Sequence, residues 1–112
     1  MTALWRKSVA LFEFFRVLMD ERCPQMECIS PSEHQRRGSH ISFRHDHAFE
    51  IVQALIEAGV IGDFRAPDIA RFGLTPLYLR FEEVWRAVDI CAEILGAGRW
   101  REPRFAVRGK VT

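Results

Sequence analysis

From Val60 to Tyr78 the chain reads VIGDFRAPDIARFGLTPLY, short apolar runs separated by residues that turn a backbone. Val60 to Phe64 reads as one strand, Ala66-Pro67-Asp68 as a turn, and Ile69 to Gly73 as a second strand. A Thr75-Pro76 step then leads out, the proline locking its own φ and holding its predecessor extended. These runs commit the region to a sheet, so the rest of the chain must supply further strands and the layer that covers them. Within the second strand Arg71 shares a side with Ile69 and Gly73, while Ala70 and Phe72 point the other way. An arginine between Ile69 and Phe72 is the residue that most calls for a use.

The remaining chain supplies that layer. Thr2 to Arg22 carries no Gly or Pro and reads as a helix. Its apolar residues (Leu4, Trp5, Val9, Leu11, Phe12, Phe14, Phe15, Val17, Leu18, Met19) spread around more than one face at ~100° per residue. Two surfaces to hide imply a second protein body against this helix; the alternative is a broad core face with some exposed phenylalanine. Pro24 ends it. Met26 to Ile29 is a short strand, Ser30 to Ser39 a polar loop with Pro31 and Gly38, and His40 to Arg44 alternates with Ile41 and Phe43 on one side. Asp46 is placed to cap a helix over His47 to Ala58, whose stripe is Ala48, Ile51, Val52, Leu55 and Ile56. Gly59 is its left-handed terminator.

A last helix spans Phe81 to Leu95, with Phe81, Val84, Trp85, Val88 and Leu95 at helical spacing. Glu82 and Glu83 sit in its first turn, where the helix dipole favours anions; Gly96 and Gly98 end it. The tail from Trp100 to Thr112 reads as extended. The fold class is therefore α+β, a small antiparallel or mixed sheet covered by helices and preceded by a long one. The 112 residues form one domain: residues 1–22 a connecting helix, 23–99 the αβ core, 100–112 the tail.

Composition narrows function by exclusion. A net charge of +1 gives no electrostatic case for nucleic acid or an anionic membrane, and no apolar run is long enough to span a bilayer. Cys23, Cys28 and Cys91 are odd in number and lack metal or disulfide spacing, which suits a reducing cytoplasm and buried apolar roles. His45 and His47 are one residue apart but have no third ligand, so surface or capping roles are favoured; His34 and His40 stand alone. No glycine-rich phosphate loop, GxSxG or His-Glu-x-x-His occurs.

The chain thus carries no complete catalytic set. Arg71 keeps two readings: a planar, always-charged fork that holds a carboxylate, or an ion pair with Asp68 or Asp63 at a sheet edge. Gly73 beside it leaves room for an approaching group. Arg65, in the turn, is assigned a bond to a loop carbonyl or to Asp68.

Together, RGSHISFRH (Arg37 to His45), QALIEAGVIGDFRAPDIARFGLTPLYLRFEEVWRAVD (Gln53 to Asp89) and WREPRF (Trp100 to Phe105) resemble the C-terminal part of bacterial kynureninases. LWRKSVAL resembles the helix leading into that family's small domain. The resemblance implies the C-terminal domain of a fold-type I pyridoxal-phosphate enzyme, a homodimer that hydrolyses L-kynurenine to anthranilate and L-alanine in tryptophan catabolism and NAD biosynthesis. It also implies that Arg71 binds the substrate α-carboxylate. No catalytic residue, cofactor ligand or metal ligand is carried over.

The family's Schiff-base lysine, phosphate loop and pyridine-nitrogen aspartate belong to a large domain that no segment here resembles. Lys7 and Lys110, the two lysines, stand in no such motif. Asp46-His47 replaces the family's usual Pro-Glu after Arg-His, a change at a helix start. The expectation is a chain that is inactive alone and needs a large pyridoxal-phosphate-binding domain or a second protomer. The alternative is a non-enzymatic interaction module or split-enzyme subunit docking on a separate large domain. A cysteine desulfurase is disfavoured, because Cys91 falls in a helix and not in a mobile loop.

Overall fold

The computed structural model describes residues 3–29, 40–73 and 80–107. The expected loop over Ser30 to Ser39, the Thr75-Pro76 exit, Tyr78 and the end of the tail, including Lys110, lie outside them, as do the side chains of Leu4 and Trp5. The chain runs α1 (Ala3–Arg22), β1 (Glu27–Cys28), β2 (His40–Arg44), α2 (Ala48–Glu57), β3 (Asp63–Arg65), β4 (Ile69–Gly73) and α3 (Phe81–Ala97). Two short 3-10 helices follow, Arg99–Arg101 and Pro103–Ala106. The sheet is antiparallel throughout, in the order β1-β2-β4-β3. This is an α+β domain with a long helix ahead of the sheet, and no parallel pair occurs among the described strands.

Alternation sets the two sides of the sheet. Ile41 and Phe43 on β2 and Ala70 and Phe72 on β4 are buried, while their neighbours along each strand face outward. The inward set meets Leu11, Phe12, Phe15 and Met19 of α1, Ile51, Val52 and Leu55 of α2, and Val84, Val88, Cys91 and Ile94 of α3. Phe15, Phe43 and Phe72 form the centre, with ring centroids 5.5 to 6.1 Å apart. Such tilted contacts add to the area each ring buries.

The first helix uses two sides within this chain: Phe15 lies on the sheet, and Phe14 packs edge-on to Phe81 of α3 at 5.5 Å. Arg22 reaches Asp89 at 2.7 Å. Phe14 to Phe81 and Arg22 to Asp89 are matched steps of one sign along both helices, so α1 and α3 run parallel. Part of its apolar pattern stays open, with Val17 43% exposed and Phe14 and Leu18 only partly buried.

Other boundaries also move. Val60 and Ile61 are not strand, and β3 begins only at Asp63. The cause is the end of α2, where Gly59 takes φ +97 and its N–H bonds to Ile56 while that of Val60 bonds to Leu55 at 2.8 Å. This closing motif uses the backbone that a strand would need. Gly62 then passes so close to Phe72 that a Cβ would lie 2.9 Å from the ring. β1 is shorter than the expected Met26 to Ile29.

Asp46 does not cap α2. His47 is the N-cap, its N–H donates to His45 Nδ1 at 2.9 Å, and Asp46 turns toward Arg44. α3 runs through Gly96 and stops at Gly98, with φ +67; at its start Glu83 accepts the Arg80 backbone N–H at 2.7 Å. The tail is not extended as far as Ala106. It coils, and Phe105 is buried in the core.

Candidate carboxylate site on the open sheet face

The outward side of the sheet carries Glu27, His40, Ser42, Arg44, Asp63, Arg65, Ile69, Arg71 and Gly73, placed together by the strand register. No described helix lies over them. Arg71 belongs to β4, an interior strand, with Ser42 opposite on β2 and Asp63 opposite on β3. An edge position, one of the sequence readings, does not apply. The side chain is 29% exposed.

Its partner is Asp63: Arg71 Nη2 donates to Oδ2 at 2.7 Å. Arg65 Nε lies 3.4 Å from that same oxygen. Arg65 is the last residue of β3 and not part of the turn, and alternation along that strand puts it on the same side as Asp63, so it turns to Asp63 and not to Asp68. Asp68 is held by Arg44, which also binds Glu27 at 3.1 Å. Arg71 Nε is buried without a hydrogen-bond partner. A donor left unpaired away from water is costly, so the root of this fork is packed in at the expense of one hydrogen bond. A Cβ at Gly73 would meet no described atom, so that flank of Arg71 is open as expected.

The arrangement amounts to two guanidiniums sharing one carboxylate. The trio keeps a net positive charge, and Nη1 with the N–H of Nη2 that Asp63 leaves unused is the part of Arg71 an anion could take. A concavity of about 440 Å³ lies on the other side, against Phe15, Val60, Phe72, Val84 and Ile90. Phe72 points there and Arg71 does not, so it is not part of this site.

The histidines do other work. His47 stacks on Trp100 with centroids 4.5 Å apart, and His45 meets the same ring edge-on at 5.9 Å. Among the described residues no group of three potential metal ligands gathers. Burial, and then His47, push the His45 imidazole below its ordinary value. The native state therefore favours neutral His45. Its stabilising contribution is whole above the ordinary imidazole value and is lost as pH falls through that value toward the depressed one. We expect a lower Tm at about pH 5.5 than at about pH 7.5, and a smaller difference in His45→Asn, measured by thermal melts followed by circular dichroism.

Cys23 and Cys91 are buried free thiols, and the neighbouring Cys23 together with burial pushes the Cys91 thiol up. No described helix is long and apolar enough to cross a membrane.

The kynureninase C-terminal domain family matches residues 4–91. The kynureninase of Pseudomonas fluorescens is 49% identical over 114 aligned positions, which cover 100% of this chain and 27% of the relative. Kynureninases of Burkholderia mallei (strain SAVP1) and Burkholderia pseudomallei (strain K96243) show the same identity and coverage. The chain thus spans about a quarter of the length of these curated relatives.

Proposed function

From a chain that belongs to the kynureninase C-terminal domain family, we infer the part of a kynureninase that grips the substrate carboxylate. The reaction is hydrolysis of L-kynurenine to anthranilate and L-alanine, in tryptophan catabolism and NAD biosynthesis. The observation that carries this reading is Arg71: a partly exposed guanidinium on an interior strand, on the outward side of the sheet, with one terminal nitrogen held by Asp63. A planar fork on a rigid strand holds a carboxylate in one orientation, and a fixed amino acid presents one bond at a time for reaction.

The family's cofactor is pyridoxal 5'-phosphate, which needs a lysine and a phosphate cradle. The described residues do not fit it. Lys7 lies in α1, within the helical layer, and no described loop is a glycine-rich cradle. The chain supplies substrate contact, and cofactor chemistry belongs to another body: a large domain or a second protomer of a homodimer. Residues 1–22 then serve as the connecting helix, 23–99 as the αβ core and 100–112 as a tail. Three reduced cysteines suit a cytoplasmic setting.

A further reading is a split-enzyme subunit or interaction module that docks on a separate large domain; the apolar residues that spread around more than one face of the first helix favour it. Purified chain, mixed with pyridoxal phosphate and L-kynurenine, is expected to give no anthranilate fluorescence. A hybrid in which it replaces the matching part of the Pseudomonas fluorescens kynureninase is expected to turn over. Anthranilate from the chain alone contradicts the reading, as does a folded hybrid that binds kynurenine no better than the Pseudomonas enzyme lacking this part.

A further inference from the structure

We propose that Asp63 is the positioning residue for Arg71, and that it fixes the guanidinium so that a carboxylate is taken end-on by the two terminal nitrogens. This rests on the carboxylate-grip reading above. The register of β3 against β4 places Asp63 directly across from Arg71, so the pairing is a property of the sheet and not of a wandering side chain. Asp63 uses one oxygen on one nitrogen, Nη2, at 2.7 Å.

Nε is buried, so the side-on edge that includes it is closed to an incoming ligand. What remains is the end of the fork: Nη1 and the N–H of Nη2 that Asp63 does not use. A fork packed in at its root and bonded at one tip has lost most of its rotational freedom before the ligand arrives. That is the freedom a carboxylate would otherwise have to freeze on binding.

Asp63 could instead compete with the ligand, since it is itself a carboxylate. Arg65 decides against that. Its Nε lies 3.4 Å from the oxygen that binds Arg71, so the negative charge of Asp63 is shared between two cations and the trio stays positive. Ser42, across on β2, adds no charge. The next charged group on the face, Arg44, is taken up by Glu27 and Asp68.

The test uses the hybrid kynureninase and two ligands, L-kynurenine and its amine analogue without the α-carboxylate. Asp63→Ala is expected to raise KM for kynurenine by roughly tenfold to a hundredfold, the scale of a misplaced contact, with a smaller effect on kcat. Inhibition by the amine analogue is expected to be unchanged, which also reports a folded site. Asp63→Asn, which keeps an oxygen acceptor, is expected to recover part of the loss. Tighter kynurenine binding in Asp63→Ala identifies Asp63 as a competitor and overturns the proposal. Equal weakening of both ligands, or no change in either, also overturns it. If Arg71→Met leaves kynurenine binding intact while Asp63 is present, it is the grip reading that falls.

Discussion

In the hybrid enzyme, Arg71→Met is expected to lower kcat/KM for L-kynurenine by about a thousandfold. Removing one member of a hydrogen-bonded, desolvated charge pair costs about 2–5 kcal/mol. At about 1.4 kcal/mol per decade this is between one and four powers of ten. The loss falls on both kinetic constants, because a carboxylate without its fork binds more weakly and also sits wrongly for reaction. Arg71→Lys keeps the charge but offers a point in place of a planar edge, so it is expected to recover only part of the loss. Steady-state anthranilate production across substrate concentration measures all three enzymes. Arg71 is partly exposed and its removal opens no core cavity, so the melting temperature is expected to move little.

The largest effect on the fold is expected from Phe43→Ala. Phe43 is 0% exposed and stands between Phe15 of α1 and Phe72 of β4, joining the sheet to the helical layer. Truncating a buried phenylalanine costs about 3–5 kcal/mol. Small domains hold about 5–15 kcal/mol in total, and a chain of this size lies toward the lower part of that range. Phe43→Ala therefore loses most of its folded population or melts tens of degrees lower, at about 4–8 °C per kcal/mol. Phe43→Leu keeps most of the volume and is expected to cost about 1.5 kcal/mol or less. Urea titrations followed by circular dichroism give both values. A Phe43→Ala chain with an unchanged midpoint contradicts the core described here.

Strands bounded by clear punctuation were legible from residues alone. His40–Arg44 and Ile69–Gly73 match expectation residue for residue, because alternation identified the buried side and turn formers set the limits. The side of the sheet on which Arg71 stands follows from that same alternation. Its partner does not, since Asp63 and Asp68 are both within reach in sequence and only strand register chooses between them. The partner of Arg65 was missed because that residue, read as turn, ends β3, where alternation sets it beside Asp63.

Boundaries failed where a local hydrogen bond outbid a pattern. The α2 terminus captured the Val60 N–H and delayed β3; His45 supplied the acceptor at the start of α2 and displaced Asp46 from that role. Burial of Phe105 coiled a tail whose charges suggested extension. The double-faced first helix was legible as a pattern, but a sequence does not say which surface meets the sheet and which meets α3. The buried Nε of Arg71 had no sequence signal at all.

Whether Arg71 reads a carboxylate is decided by comparing the affinity of the hybrid enzyme for L-kynurenine and for the amine analogue lacking the α-carboxylate. The comparison is made in the hybrid that keeps Arg71 and in its Arg71→Met variant. A carboxylate grip gives a preference for kynurenine of at least about a hundredfold in the first enzyme, nearly abolished in the second, with affinity for the amine the same in both. A preference that survives Arg71→Met, or an equal loss of both ligands, contradicts it.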